Sequence, residues 1–180
     1  EMSRTFANRF NHIYNTDYFK EPEAYSSMGE LVKVPGLSAQ GKMSKSSGDA
    51  DTIMFDEEEK GLRKKIMRAV TDNGPTKQGE PKSEGLQNLF DIMELVSDKS
   101  TIDHFDALHK EATIRYGDLK KQLAEDVVHF VAPIKEKIDH YKQDTSALAR
   151  AAKIGAEKAN ESAEKTLKEV RELIGFKKFY

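Results

Sequence analysis

A short segment rich in lysine, serine and glycine, residues 41–48, carries the side chains best suited to chemistry. Its sequence is GKMSKSSG, so the two lysines supply its only charges and the flanking residues have little bulk. Glycine tolerates positive φ and lets backbone approach a ligand, and a lysine ammonium is a compact charge with three donors on a flexible stem. The segment, called the signature loop below, therefore indicates phosphoryl or nucleotidyl transfer.

A second phosphate-binding pattern overlaps the signature loop. Residues 36–42, GLSAQGK, match the first seven positions of a Walker A sequence. The eighth position needs Ser or Thr to bind Mg²⁺, but Met43 occupies it. Turn-forming residues also follow where a helix must begin. A P-loop nucleoside triphosphatase is therefore a minor alternative.

The letters KMSKS at 42–46 resemble the signature of class I aminoacyl-tRNA synthetases. Three further segments resemble the tryptophanyl-tRNA synthetases in particular, and together they span most of the chain: 64–72, 85–89 and 155–159. The resemblance implies ATP-dependent activation of tryptophan to an adenylate, followed by transfer to tRNA. It also implies a Rossmann-type catalytic domain followed by a helical C-terminal domain.

The resemblance assigns roles to residues in and beside the loop. The implied ATP-binding set is Val32, Lys42, Met43, Ser44, Lys45 and Ser46, with Lys42 and Lys45 as the catalytic residues. In the family reaction the tryptophan carboxylate attacks the α-phosphate and pyrophosphate leaves, so positioned cations stabilise the transition state. Lys45 is expected to carry most of this charge and Lys42 to assist on pyrophosphate. The implied cofactor is ATP with Mg²⁺, as substrate, and no resident metal site is expected.

By the same resemblance, the tryptophan pocket and the first class I signature would lie before Glu1. The chain begins at Glu1 rather than at methionine, which predicts a fragment or a processed product that is inactive alone. The length of 180 residues predicts one domain, or one small domain plus part of another. No apolar run is long enough to span a membrane, and the absence of cysteine is compatible with the predicted cytoplasmic location.

The predicted fold class is mainly α. Residues 1–85 are expected to form the end of a Rossmann-type α/β catalytic domain that carries the signature loop, and 86–180 an all-α helical bundle that binds the tRNA anticodon. Glycine and proline are concentrated at or before Gly85, which places the predicted boundary there. A β-branched run at 31–34, ended by Pro35 and Gly36, predicts a strand leading into the loop.

Helical periodicity predicts the other elements. One helix is expected over residues 1–14, and another is expected to be capped by Asp56 with Glu59 and to run to Val70. After Gly85 four helices are expected, one beginning near Ser100 and one interrupted by Pro133. The last runs from 145 to 174, with small residues on its packing side and Gly175 after its end.

The net charge of −2 gives no general attraction to nucleic acid, so contacts to RNA must come from local patches. The predicted tRNA-binding residues are Arg150, Lys153 and Lys158, and a second basic cluster comprises Arg63, Lys64, Lys65 and Arg68. The family resemblance further implies a homodimer. The alternatives are a tyrosyl-tRNA synthetase, which shares the loop, and a non-catalytic helical RNA-binding module.

Overall fold

The computed structural model describes residues 1–25, 33–38 and 41–176. This part of the chain is mainly helical, which confirms the predicted class. Its helices are α1 (Met2–Ile13), α2 (Glu59–Met67), α3 (Glu84–Val96), α4 (Lys99–Lys110), α5 (Tyr116–Gln143) and α6 (Thr145–Leu173). Two single 3₁₀ turns, Lys45–Ser47 and Asp49–Asp51, lie in and after the signature loop. Among the helices of the described residues, none combines the length and the hydropathy that a membrane span needs.

The chain divides into two compact units. The loop unit is Val32–Gln143, and the terminal unit combines Glu1–Leu31 with Asp144–Tyr180. Residues on both sides of Gly85 contribute to the core of the loop unit. The predicted boundary near Gly85 refers to the domains of the family and stays a prediction.

Helix α5 is the centre of the loop unit. Helices α2 and α3 both pack against it, and α4 packs against α3. The largest fully buried side chains come from these helices: Leu62, Ile66, Leu86, Leu89, Met93, Leu119, Leu123, Val127 and Val131. Burying an aliphatic side chain of this size stabilises a fold by about 1.5–3 kcal/mol. The apolar stripes of α2, α3 and α5 therefore meet in one core, as their periodicity indicates.

Two predicted helix starts differ from the structure. Helix α2 begins after Glu58 without a side-chain cap, so the predicted Asp56 cap is wrong. The Asp56 carboxylate instead accepts a hydrogen bond from Lys142 at 3.1 Å, at the far end of α5. Helix α4 begins at Lys99 with Asp98 as its N-cap residue, slightly before the predicted Ser100. Helix α2 also ends at Met67, and Val70 is half exposed rather than part of the stripe.

In the terminal unit, a segment after α1 folds back on the helix. The Asn11 side chain bonds both backbone groups of Phe19, donating to its carbonyl at 2.7 Å and accepting from its N–H at 3.1 Å. The Phe10 ring packs edge-on against that of Phe19 at 4.9 Å. The Tyr18 hydroxyl then donates to Glu169 of α6 at 2.7 Å. Hydrogen bonds and ring contacts thus hold this segment, while Ala7 is the buried residue of α1.

Helix α6 ends as the sequence predicts. Gly175 has φ +74°, its N–H donates to the Glu172 carbonyl at 3.1 Å, and the Phe176 N–H donates to the Arg171 carbonyl at 2.8 Å. This pair of bonds is the Schellman motif, which requires a left-handed residue after the helix. The side of α6 that is predicted to pack against neighbouring helices is not covered, because none of the residues of α6 is buried within the described structure.

Candidate active site

Backbone pairing ties the start of the signature loop to the segment that precedes it. The Met43 N–H donates to the Val34 carbonyl at 2.8 Å, and Pro35 and Lys42 form an isolated antiparallel bridge. This bridge is the only β pairing in the described residues. Leu31 and Val32 of the predicted strand lie outside those residues, as does the predicted adenine contact of Val32. Lys42 and Met43, at the start of the loop, are therefore fixed by this pairing.

Glycines mark both ends of the loop. Gly41 has φ +74°, and Gly48 has φ +98° with ψ 160°. The second combination is essentially restricted to glycine. Between them the chain makes one 3₁₀ turn, Lys45–Ser47. The continuous helix that a P-loop requires is not formed after Lys42, which argues against that alternative.

The polar side chains of the loop divide into exposed cations and paired hydroxyls. Lys42 and Lys45 are both exposed. The Ser44 and Ser46 hydroxyl oxygens lie 2.8 Å apart, and the Ser44 oxygen also accepts the Ser46 N–H at 3.3 Å. The serines thus shape the turn from which the Lys45 ammonium extends into solvent. This arrangement leaves both ammonium groups accessible to an anion.

Met43 points the other way, toward the protein interior. Its side chain packs against the core, and its sulfur accepts the Ile53 N–H at 3.4 Å. It lines an apolar crease of about 490 Å³ together with Val34, Phe55 and Phe130. The structure thus confirms that Met43 anchors the loop in an apolar crease, while its proposed contact with ATP stays a prediction.

A segment just after the loop, residues 49–53, is called the base segment here. The Thr52 hydroxyl donates to the Ser44 carbonyl at 2.8 Å and lies 3.3 Å from the Gly48 carbonyl. The Asp51 carboxylate accepts the Ser38 N–H at 2.6 Å. Thr52 and Asp51 are both buried, each only 6% exposed. Two buried polar side chains thus connect the base segment to its surroundings, Thr52 to the signature loop and Asp51 to the segment that precedes the loop.

Lys65 of α2 forms hydrogen bonds with the base segment. Its ammonium donates to Asp49 at 2.8 Å, to the Thr52 carbonyl at 3.2 Å and to Glu57 at 2.6 Å. Burial lowers the pKa of Lys65, but the hydrogen bonds to the two carboxylates outweigh it and hold this pKa above its ordinary value. Lys65 is therefore a charged, fully bonded group at neutral pH.

The basic cluster predicted on α2 is smaller than its sequence indicates. Arg63 forms ion pairs with Glu59 at 3.3 Å and Glu125 at 3.1 Å, and Lys65 is buried as described. Lys64 and Arg68 are exposed. Two of the four cations are thus occupied by carboxylates, which weakens the case for a phosphate site there.

The predicted tRNA-binding residues lie on α6 in the terminal unit, and all three are exposed: Arg150, Lys153 and Lys158. The Lys153 ammonium is 3.9 Å from the Glu157 carboxylate, one helical turn away. Exposed pairs at this distance contribute little. All three cations are therefore accessible, and their contact with RNA stays a prediction.

Asp51 and Thr52 have no role predicted from the sequence, and Lys65 is predicted to be one cation of the basic cluster on α2. One signal for Lys65 was present. Leu62, Lys65, Ile66 and Ala69 follow the i, i+3, i+4, i+7 spacing of one helix face, so Lys65 occupies a core-facing position. No comparable local signal identifies Asp51 or Thr52, because their partners lie on a loop of irregular conformation.

Comparisons with known proteins identify the family of this chain. The family model described as tRNA synthetases class I (W and Y) matches residues 1–132, and the chain therefore belongs to this family. A tryptophan–tRNA ligase from Porphyromonas gingivalis is 49% identical over 177 residues, covering 98% of this chain and 54% of that protein. A tryptophan–tRNA ligase from Clostridium tetani is 32% identical, and the alignment covers 98% of this chain and 51% of that protein.

Solved structures give the same result for the fold. The chain is similar to a crystal structure of tryptophanyl-tRNA synthetase from Campylobacter jejuni complexed with ADP and tryptophan. The TM-score is 0.71 and the identity 29%, over 96% of this chain and 52% of that one. The chain thus spans about half the length of the relatives it matches.

Proposed function

We propose that the protein containing this chain is a tryptophan–tRNA ligase, which activates tryptophan with ATP and transfers it to tRNA. The observation that carries this proposal is the signature loop itself, which presents two exposed lysines on a base fixed by buried contacts. The family includes tryptophan and tyrosine enzymes. The named relatives are tryptophan–tRNA ligases, which favours tryptophan over tyrosine.

In this reaction the chain's own residues act on the triphosphate. The tryptophan carboxylate oxygen forms a bond to the α-phosphorus while the bond to the pyrophosphate oxygen breaks. Negative charge then grows on the phosphoryl oxygens and on the leaving group, where a positioned cation stabilises the transition state more than the ground state. Lys45, at the start of the 3₁₀ turn, stabilises the transferred centre, and Lys42 stabilises departing pyrophosphate.

The remaining residues of the proposed ATP site orient the nucleotide. The hydroxyls of Ser44 and Ser46 exchange their mutual hydrogen bond for bonds to phosphate oxygens. By the family resemblance, the backbone at Val32 contacts the adenine, and Met43 belongs to the ATP-binding set. Mg²⁺ accompanies ATP as part of the substrate and neutralises charge on the leaving group.

The direct test is amino-acid-dependent exchange of pyrophosphate into ATP, measured on the full gene product. Tryptophan should support exchange, whereas tyrosine at the same concentration should not. Exchange with tyrosine alone would favour the tyrosyl alternative. Exchange with neither would favour the non-catalytic RNA-binding module. The 180-residue chain measured alone should give no exchange, as the sequence predicts.

We further propose that residues 1–85 belong to the catalytic domain and 86–180 to a helical domain that binds the tRNA anticodon. Arg150, Lys153 and Lys158 then contact tRNA phosphates. Removing these cations should lower the affinity for every RNA sequence alike, because phosphate contacts do not read bases. Each lost contact should reduce the salt dependence of binding by about one unit of slope. We expect Arg150→Ala combined with Lys153→Ala to show this in tRNA binding by the gene product, and an unchanged slope would place the RNA surface elsewhere.

A homodimer and a cytoplasmic location complete the proposal. They rest on similarity to the family and on a cysteine-free composition that is compatible with a reducing compartment. Sedimentation of the gene product would measure the assembly state directly.

A further inference from the structure

The contacts of the base segment form a continuous path from α2 to the signature loop. Lys65 donates to the Thr52 carbonyl, and the Thr52 hydroxyl donates in turn to the Ser44 carbonyl. One residue on, the Ile53 N–H donates to the Met43 sulfur. Two adjacent residues of the loop, Met43 and Ser44, are thus held by a segment whose own position depends on Lys65.

The ammonium of Lys65 has no spare donor. Its three hydrogens are matched by Asp49, Thr52 and Glu57. The side chain is 9% exposed, while that of Glu57 is 20% exposed and that of Asp49 is 83% exposed. Lys65 is therefore fixed to the interior through Thr52 and Glu57, and it reaches the surface only at Asp49.

A buried ion pair is weak evidence for stability, since well-packed apolar residues often serve as well. Such a pair does impose a defined geometry, because an unmatched donor or carboxylate is costly. Leu62 and Ile66 beside it already fill the core. The structure therefore favours a role for Lys65 in placing the loop over a role in holding the fold together.

We propose that Lys65 is a positioning residue for the signature loop. It fixes the base segment against α2 and so sets the place from which Lys42 and Lys45 reach the triphosphate. Asp49 contributes through Lys65 and not by itself. The consequence for catalysis rests on the proposed function, whereas the consequence for loop order does not.

The first test measures loop order in the 180-residue chain by amide hydrogen exchange. Lys65→Met keeps the length and apolar bulk of the stem and removes the ammonium. Exchange of the Met43, Asp51 and Thr52 amides should accelerate at least ~10-fold, because their opening no longer breaks the Lys65 contacts. Amides in the core of α3 and α5 should change by less than ~2-fold. Lys60→Met, an exposed change on the same helix, should leave all of these rates unaltered.

Asp49→Asn provides a second variant that cannot disturb the core, because Asp49 is largely exposed. It should accelerate the same amides by a smaller factor. Combined with Lys65→Met it should add nothing, because both changes remove one shared interaction. Unchanged loop exchange in Lys65→Met would overturn the proposal. So would acceleration throughout α3 and α5, which would make Lys65 a residue of general stability.

The second test uses tryptophan-dependent pyrophosphate exchange by the gene product. Lys65→Met should lower kcat by about 10-fold with little change in the KM for tryptophan, the pattern expected when transition-state contacts are misplaced. Lys60→Met should retain both values. Equal kcat in Lys65→Met and the unaltered protein would refute the catalytic part. Absence of exchange in the unaltered protein would refute the proposed function, and the amide exchange would still decide the role of Lys65.

Discussion

Helices α5 and α6 are of similar length and both carry an apolar stripe, but only the stripe of α5 is buried. Helix α5 has six buried residues, including Leu119, Leu123 and Val127, because α2 and α3 cover it. In α6 the stripe residues Leu148 and Leu167 remain 47% and 49% exposed. Periodicity therefore predicts that a helix forms and which side is apolar. It does not predict what covers that side.

The cations of the two units also differ in exposure. Lys120 of α5 looks like a surface residue in sequence, yet it donates to the Ala69 carbonyl at 2.8 Å and the Thr71 hydroxyl at 2.9 Å. Burial lowers its pKa. On α6, Arg150 and Lys158 are exposed. In the loop unit outside the signature loop, several cations thus serve internal contacts, whereas those of α6 are accessible to a partner.

The largest expected effect separates the two helices by stability. Leu123→Ala leaves a cavity in the core and should lower the free energy of unfolding by about 2–5 kcal/mol. Leu148→Ala removes a half-exposed side chain and should cost about 0.5 kcal/mol or less. Urea unfolding followed by circular dichroism measures both. A comparable loss in the two variants would show that the α6 stripe is covered in solution.

Two glycine-to-alanine substitutions should change the free energy of unfolding in opposite directions. A Cβ at Gly36 would lie 2.5 Å from the buried Asp51 carboxylate, so Gly36→Ala should displace Asp51 from Ser38 and cost about 1–3 kcal/mol. A Cβ at Gly155, inside α6, meets nothing within 4 Å. Gly155→Ala should stabilise the helix by about 0.5–1 kcal/mol. Thermal unfolding of both variants gives the signs, and destabilisation by Gly155→Ala would indicate a close neighbour on α6.

A smaller expected effect concerns the stability of the loop unit at acidic pH. Hydrogen bonds from Lys110 and Lys82 hold the pKa of Asp106 below its ordinary value. A carboxylate with a lowered pKa adds stability above its unfolded pKa, near 4, and loses it as the pH falls through the folded value. Asp106→Asn should therefore cost up to about 1 kcal/mol at neutral pH, and this difference should vanish toward pH 2. Urea unfolding across this pH range tests it.

Glu157→Gln is the matched control for that experiment on α6. Its ion pair with Lys153 spans 3.9 Å between two exposed side chains. Such pairs have little measurable effect, so the variant should unfold as the parent does at each pH. A loss equal to that of Asp106→Asn would contradict the contrast between the two units.

Sequence reasoning succeeded where the determining interactions are local. The Gly175 terminus of α6 follows from the left-handed conformation that glycine permits, and the α3 stripe follows from helical periodicity. The anchoring of Met43 was also predictable, since it is the one apolar residue in a polar loop.

Long-range partners account for what was missed. Asp56 has the composition of a helix cap, but its carboxylate bonds Lys142, which is distant in sequence. Asp51 and Thr52 have the composition of loop residues, yet both are buried, Asp51 against Ser38 and Thr52 against Ser44. Lys65 was detectable from its core-facing position on α2, although its partners were not. Local patterns therefore located the signature loop, and the structure was needed to show what holds it.

The most direct test of the account is pyrophosphate exchange by the gene product carrying Lys45→Ala, with Lys60→Ala as the matched control on α2. Lys45 is proposed to stabilise the transition state, so kcat for tryptophan-dependent exchange should fall at least ~100-fold, the scale of losing one preorganised donor. The KM for tryptophan should change far less, and Lys60→Ala should behave as the unaltered protein. A Lys45→Ala variant with near-normal kcat would contradict the central claim that the signature loop supplies the catalytic charge.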